Sequence, residues 1–366
     1  MKTQDILQTL FIENELSKST RNAYLRSVRK FEKITEQTLP EILELAEKEH
    51  NWKTSNLRMC LLKYRHELNQ EYKRSTAQEY YGKIISILNH YEVDYGKLPK
   101  QKKHNENILY DVAELPSQKT LKKCIELKNN ILLKSATLFI ASTGLSPIDL
   151  LKLTVKDYLE STNEYHNYQQ HHNILKAILE MEDKQVIATL RGHRQKTGTE
   201  YITFTSPEAI KNTNIYLQSR EDQLTLESIL FKVSRRQFNK YYQDINEQLG
   251  LGLTSEGKAV FSPKNLRSYH ATQLERAGMN DNRIDILEGR KPSSIIRRHY
   301  IKIDAEELKQ EYIECLPYLV VDDMEKIKTE LELVREENQQ YRDELEEFRK
   351  DLNDLKKRQL IWEEMK

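Results

Sequence analysis

Hydrophobic residues recur at helical spacing through the first quarter of the chain. Tyr24, Val28 and Phe31 lie three or four positions apart, and the pair Ser19-Thr20 offers a capping hydroxyl just before them. Three further segments show the same periodicity and begin at Pro40, Ser55 and Ser75. The pattern predicts an all-helical first domain at residues 1–97.

A polar, basic stretch without periodicity occupies residues 98–107 and predicts a linker. A second domain is expected at residues 108–321, where helical periodicity returns. Within it, two short segments on either side of Gly198 alternate apolar and polar positions, which predicts a β-hairpin. Further helices are expected from the pattern, with a capped start at Ser206, over Leu226 to Leu249, and from Asp304 to a stop at Pro317. The expected fold class is therefore mainly α with a small β-hairpin or sheet.

Residues 322–366 carry a different pattern, in which apolar side chains alternate at spacings of three and four without a Gly or Pro. This heptad repeat predicts a C-terminal coiled coil. Asn338 falls at an a position, where a polar residue favours a parallel dimer. A single long amphipathic helix packed on the rest of the chain is the alternative. The core positions of the repeat are Met324, Ile327, Leu331, Val334, Asn338, Tyr341, Leu345, Phe348, Leu352, Leu355, Gln359 and Trp362.

Charge is distributed unevenly although the formal net charge of the 366 residues is only +1. Residues 319–366 hold ten Lys and Arg against fifteen Asp and Glu, so the rest of the chain has a net charge of +6. A basic body with an acidic tail is compatible with a DNA partner, although charge alone does not establish one.

The cysteine pattern and hydropathy exclude several classes of protein. Cys60, Cys124 and Cys315 are odd in number and far apart, which fits neither a disulfide framework nor a zinc site and indicates a reducing, cytoplasmic environment. No apolar run has the length of a membrane span, and the N-terminus lacks the apolar stretch of a signal peptide. We expect no membrane association.

The residues between Lys264 and Tyr300 carry the main candidate chemistry. Lys264 and Arg267 are three positions apart, so a helix would place them on one face. Arg290 follows a glycine, and Tyr300 comes ten residues later. Cations gathered around one hydroxyl suit attack on a phosphodiester, because they offset the phosphate charge while the hydroxyl acts as nucleophile.

This arrangement resembles the tyrosine recombinases, and most closely the integrases of archaeal fuselloviruses and plasmids, over roughly residues 15 to 315. The family pattern places a His or Lys three residues before an Arg, then a His, Trp or Arg after a Gly, then the tyrosine. The resemblance implies a helical core-binding domain that clamps DNA, followed by the recombinase catalytic domain. It also implies that neither a metal nor a nucleotide cofactor is needed.

The same resemblance implies a role for each catalytic residue. Tyr300 would attack the scissile phosphate and form a 3′-phosphotyrosyl link, while Arg267 and Arg290 hold the non-bridging oxygens. Lys196, at the tip of the predicted hairpin, would protonate the leaving 5′ oxygen, and Lys264 would manage the proton of the tyrosine.

The expected partner is double-stranded DNA at attachment sites. The tail would make a dimer, and the family assembles as tetramers on paired sites. Each cation named as a DNA contact could instead belong to a solvated helix face. The candidate contacts are Arg21, Arg26, Arg29 and Lys30 in the first domain, Lys100, Lys102 and Lys103 in the linker, and Arg191 and Arg194 in the hairpin.

One position departs from the family pattern. The family has Gly-Leu-Arg followed by an acid three residues on, whereas this chain has Ser146 in the arginine position and Asp149 as the acid. Serine offers one neutral donor in place of a charged, bidentate group. Three interpretations follow: Arg191 or Arg194 compensates, the enzyme is slow, or the protein is a DNA-binding relative that no longer recombines.

The sequence also allows two other hypotheses. His166, His171 and His172 could suggest a metal site, but no acidic or cysteine partner lies at ligand spacing, and a polar loop is the preferred interpretation. A coiled-coil scaffold with an incidental folded body is the third class of function, beside the recombinase and the DNA-binding relative.

Overall fold

The computed structural model describes residues 2–48, 55–99, 114–220, 222–291 and 304–323, with scattered positions between 327 and 350. The chain divides into two compact units, Met1–Glu106 and Asn107–Lys366. The described residues are mainly helical and include one two-stranded antiparallel sheet, in agreement with the predicted fold class. Most of the predicted linker and of the predicted coiled coil lies outside the described residues.

The first unit consists of helices around one apolar core. Helix α2 packs against α4 and α5, and the ring of Phe31 meets the edge of Tyr64 at a centroid distance of 5.0 Å. Both rings are fully buried, as the periodicity of α2 requires. The helices are α1 (Thr3–Glu13), α2 (Lys18–Thr35), α3 (Leu39–Lys48), α4 (Asn56–Glu71) and α5 (Arg74–His90).

Helix α2 starts earlier than the sequence suggested. Ser17, and not the pair Ser19-Thr20, is the cap, and its hydroxyl accepts the N–H of Thr20 at 3.3 Å. The left-handed backbone of Glu15 turns the chain just before this point, so the first free N–H groups face Ser17.

The second unit surrounds helix α7, which is buried along nearly its whole length because its residues are apolar or small on every side. Helices α12 and α14 pack against α7. The elements are α6 (Gln118–Glu126), α7 (Ile131–Thr143), α8 (Pro147–Leu150), α9 (Val155–Ser161), α10 (Tyr168–His171), α11 (Ile174–Leu179), β1 (Thr189–His193), β2 (Glu200–Phe204), α12 (Pro207–Gln218), α13 (Arg235–Gln248), α14 (Pro263–Arg276), α15 (Asp281–Leu287) and α16 (Ala305–Leu319).

Strands β1 and β2 form the predicted hairpin. Thr189 pairs with Phe204 at one end and His193 with Glu200 at the other. Arg194 closes the turn between them, since its N–H donates to Thr199 O and its carbonyl accepts the N–H of Gly198, both at 2.8 Å.

Two further predicted helix boundaries were wrong. The helix expected from Leu226 begins only at Arg235, because Ser234 caps it and the preceding segment instead bridges to the start of α9. Helix α16 continues through Pro317 to Leu319. Gln118 donates to the carbonyl oxygens of Pro317 and Tyr318, which lie in the last turn of α16 and have no partner within the helix.

Candidate active site

Helix α14 places Arg267 in the interior. Ser262 caps the helix and Pro263 occupies its first turn, so Arg267 lies one turn further on, where its side chain is buried. The guanidinium donates to the carbonyl oxygens of Gly144, at 2.7 Å, and Glu288. Burial lowers the pKa of Arg267 to about 10, which still leaves the side chain charged at neutral pH.

Glu288 is the centre of the cluster. Its carboxylate is fully buried and forms ion pairs with Arg267 Nε at 3.2 Å and with Arg290 Nη2. Its other oxygen contacts Nδ1 of the buried His270 at 3.2 Å. Sequence reasoning missed this residue. The available signal was an acid placed next to Leu287, a core position of α15.

Gly289 lets the hairpin approach this cluster. Its φ of +60° ends α15, a conformation that favours glycine. A Cβ built on Gly289 would lie 3.2 Å from Tyr201 Cβ and 3.5 Å from Arg194 Cβ. The turn that carries Arg290 therefore packs directly on the hairpin residues, and any larger side chain would push them apart.

Ser146 acts as a helix cap in this structure. Its hydroxyl accepts the N–H of Asp149 at 3.4 Å and donates to Asp149 Oδ2 at 2.6 Å, which starts α8. Asp149 Oδ1 accepts the N–H of Gln195 at 2.9 Å. The buried acid therefore joins the segment after α7 to the hairpin.

The three hairpin cations differ in their surroundings. Arg191 and Lys196 are exposed. Arg194 is partly buried, and within the described part of the chain its Nε is buried without a hydrogen-bond partner. The positive charges of Arg194 and Arg290 both help to lower the pKa of Arg267, so the three guanidinium groups belong to one cluster.

Lys264 lies apart from this cluster. Its side chain is 61% exposed, and its Nζ contacts Glu256 Oε2 at 3.3 Å. Hydrogen bonds from Lys258 and then Lys264 lower the pKa of Glu256 to about 2. Lys264 and Arg267 share a helix, but their side chains contact different parts of the unit.

The four candidate cations of α2 also divide into two kinds. Arg21 donates to Leu16 O at 2.6 Å, and Lys30 pairs with Glu71 and lies over the ring of Tyr72. Arg26 and Arg29 are exposed. Only this second pair is presented to solvent by the fold of the first unit.

Several predicted site residues lie outside the described residues, namely Tyr300, Lys100, Lys102 and Lys103. Among the residues that the structure describes, no group of three His, Cys, Asp or Glu side chains could hold a metal ion. His166 instead contacts Thr162 and the carbonyl of Leu159.

A cavity of about 540 Å³ lies beside Asp149 and is lined by residues of α9 and β1. Arg191 and Lys152 contribute to its wall, but carboxylates predominate there. These acids are Asp149, Asp157, Glu160, Glu164 and Glu306. A wall with this charge disfavours phosphate, so the guanidinium cluster is the better anion site.

No family model and no curated protein sequence matches this chain. Solved structures do. A lambda integrase dimer bound to a COC′ core site is 13% identical, with 83% of this chain and 99% of that chain covered and a TM-score of 0.52. XerH recombinase bound to palindromic difH is 15% identical, with 80% and 78% covered and a TM-score of 0.52.

These similarities show that the chain has the fold of the tyrosine recombinases, whose catalytic domain is mostly helical with a small antiparallel sheet. Both neighbours are recombination enzymes bound to DNA. Separately, none of the described helices is long and apolar enough to cross a membrane.

Proposed function

We propose that this protein is a site-specific DNA recombinase of the integrase type that cuts and rejoins DNA through Tyr300. The observation that carries this proposal is the buried carboxylate of Glu288, which holds Arg267 and Arg290 together in a recombinase fold. Two charged guanidinium groups fixed at one point can stabilise the developing charge of a phosphoryl transfer without reorganising.

In the proposed reaction, the phenolic oxygen of Tyr300 attacks the scissile phosphorus and the bond to the 5′ oxygen breaks. Lys196 gives that oxygen its proton, and the ammonium group of Lys264 helps the phenol to lose its proton to water. The covalent link preserves the energy of the phosphodiester. Attack by the 5′ hydroxyl of another strand reverses the step and completes the exchange.

Lys264 must leave Glu256 to take part in this reaction, because that carboxylate holds its Nζ in the free protein. Lys264 is exposed and Glu256 is only partly buried, so water screens this pair and the rearrangement costs little. Lys196, exposed at the hairpin tip, is similarly available to a DNA strand.

We infer a fuselloviral or plasmid type of integrase that acts on attachment sites in the cytoplasm. Residues 1–97 would serve as the DNA clamp, 98–107 as linker, 108–321 as catalytic domain and 322–366 as coiled coil. Arg26 and Arg29 are the clamp cations that the fold leaves free to meet phosphates.

The described core positions of the tail support its proposed role in dimerisation. Five apolar residues of the heptad repeat are between 48% and 64% exposed, and they are Ile327, Leu331, Val334, Tyr341 and Leu345. Exposed apolar side chains at this spacing become buried when a second helix of the same kind packs against them. Two such dimers would make the tetramer that exchanges strands on paired sites.

Covalent trapping on nicked suicide DNA tests the proposed function. Wild type should form a protein–DNA adduct on a substrate built from an attachment site, and Tyr300→Phe should abolish it because the nucleophilic oxygen is absent. Tyr318→Phe removes a partly exposed hydroxyl elsewhere in the second unit and should leave the adduct unchanged. An adduct that persists in Tyr300→Phe would rule out this nucleophile.

A second candidate function is favoured by Ser146, which replaces a charged bidentate group with a neutral hydroxyl. The protein would then be an impaired relative that binds DNA without cutting it. It would bind duplex DNA with a steep salt dependence and form no adduct. An adduct that appears only with Ser146→Arg would identify this case.

Deletion of residues 322–366 tests the scaffold alternative, which fails if DNA binding and chemistry survive.

A further inference from the structure

We propose that Arg194 supplies the guanidinium that the family pattern places at position 146, and that it binds a non-bridging oxygen of the scissile phosphate. This inference rests on the proposed function, because it assigns a further catalytic residue to the same site. It also resolves the choice between Arg191 and Arg194, which the sequence left open.

Ser146 cannot bind a phosphate as an arginine would. Its hydroxyl is engaged twice with Asp149, once as acceptor from the backbone and once as donor to the carboxylate. A hydroxyl held in this way caps α8 and has no charge to offer a phosphate. The site therefore needs its missing cation from another element.

Asp149 is the acid that would accompany an arginine at position 146. In this chain its Oδ1 accepts the N–H of Gln195, the residue directly after Arg194. The hydrogen bonds from Arg194 N to Thr199 O and from Gly198 N to Arg194 O fix the backbone of Arg194 itself. The acid thus positions the hairpin cation instead of a cation on its own helix.

The side chain of Arg194 lies beside the segment that carries Arg290. Its Cβ lies 3.5 Å from the position of a Cβ built on Gly289, the residue before Arg290. Its Nε is buried and has no hydrogen-bond partner among the described residues. A buried, unpartnered guanidinium N–H carries a desolvation cost that an anion would relieve.

The charges of the cluster are close to balanced. Arg194, Arg267 and Arg290 carry three positive charges, and the carboxylates near them are Glu288, Asp149 and Asp285. The Nε of Arg194, unpartnered in the part of the chain that the structure describes, and not an excess of positive charge, is therefore the feature that favours an anion. Arg191 does not share this environment, since it is exposed on β1 and lines the acidic cavity.

The adduct assay on nicked suicide DNA tests this inference with the full chain. Arg194→Gln should slow adduct formation by about 100-fold or more, the effect of removing one donor from an oxyanion site. Arg276→Gln removes an exposed arginine from the last turn of α14 and should leave the rate unchanged. Adding Ser146→Arg to Arg194→Gln should restore the rate, which loss of a merely structural residue would not allow.

Calorimetric titration with inorganic phosphate, without DNA, separates this inference from the proposed function. Arg194→Gln should weaken phosphate binding while Arg276→Gln binds as wild type does. If wild type forms no adduct but phosphate binding depends on Arg194, the strand transfer fails and the anion site stands. If Arg194→Gln equals Arg276→Gln in both assays, the role of Arg194 is overturned. A wild type that neither forms the adduct nor binds phosphate overturns both proposals.

Discussion

Helix α2 and the cluster around Glu288 are both rich in cations, but the burial and the contacts of these cations differ. In α2, Lys30 pairs with a surface carboxylate, and Arg26 is exposed. Around Glu288, by contrast, Arg267 is buried and fixed by two carbonyl oxygens and a carboxylate.

This difference explains why a large number of basic residues can indicate a DNA partner without showing where the reaction takes place. An exposed arginine meets a phosphate in water, where its charge is screened and its side chain is free to move. A buried arginine that is already held in place acts in a medium of lower effective dielectric and needs no reorganisation. Three experiments test this distinction.

The largest effect is expected for Glu288→Gln. The variant keeps the shape of the side chain but leaves Arg267 buried beside a neutral amide, and loss of one partner of a buried ion pair costs about 3–5 kcal/mol. Urea unfolding of the full chain, followed by circular dichroism, measures the change. Glu307→Gln, which breaks a surface pair with Arg283, is the matched control and should have little effect. If both variants lowered the free energy of unfolding by the same amount, the distinction between buried and exposed ion pairs would be contradicted.

Glu208 is a second buried carboxylate, which accepts the N–H groups of Val321 and Asp322. Burial raises the pKa of Glu208 from 4.5 to about 7. The folded state therefore holds a proton that the unfolded state releases, so stability falls as pH rises through this window.

Protonated Glu208 makes its full contribution to the free energy of unfolding below pH 4.5. This contribution is about 3 kcal/mol, and it is lost as the pH rises to about 7. Glu208→Gln cannot titrate and should lack it. The free energy of unfolding of wild type, measured against that of the variant from pH 4.5 to 7, should decline by this amount. Parallel pH curves for the two proteins would refute the assignment.

The smallest effect is expected in α2. If Arg26 meets a phosphate, Arg26→Gln should reduce the slope of log Kobs against log salt by about 0.9. Lys30→Gln should leave the slope unchanged, because Lys30 already pairs with Glu71. Fluorescence anisotropy with duplex DNA over a range of salt measures both. The reverse order of effects would show that the folded contacts of Lys30 open on DNA.

Much of the fold followed from local patterns. The apolar spacing of Tyr24, Val28 and Phe31 predicted a buried helix face, and the alternation around Gly198 predicted the hairpin. The boundaries were less predictable. Ser17 competes with Ser19 as a cap, and the direction in which the chain enters the helix decides between them.

The candidate site was only partly accessible from the sequence. Motif order located Arg267, Arg290 and Asp149, which the structure places around one region. Lys264 was expected to act beside Arg267, but in the free protein it contacts Glu256. Helical spacing constrains where a side chain leaves the backbone, whereas a long flexible side chain then follows the nearest opposite charge.

The sequence by itself determined the helical architecture, the hairpin and the residue types available for phosphate chemistry, because periodicity, caps and turns act within a few residues. Only the tertiary structure brought Glu288 to Arg267 across 21 positions, and the hairpin residue Arg194 to Gly289 at the end of α15. Burial makes these contacts strong and depends on how distant segments pack, which no local pattern encodes.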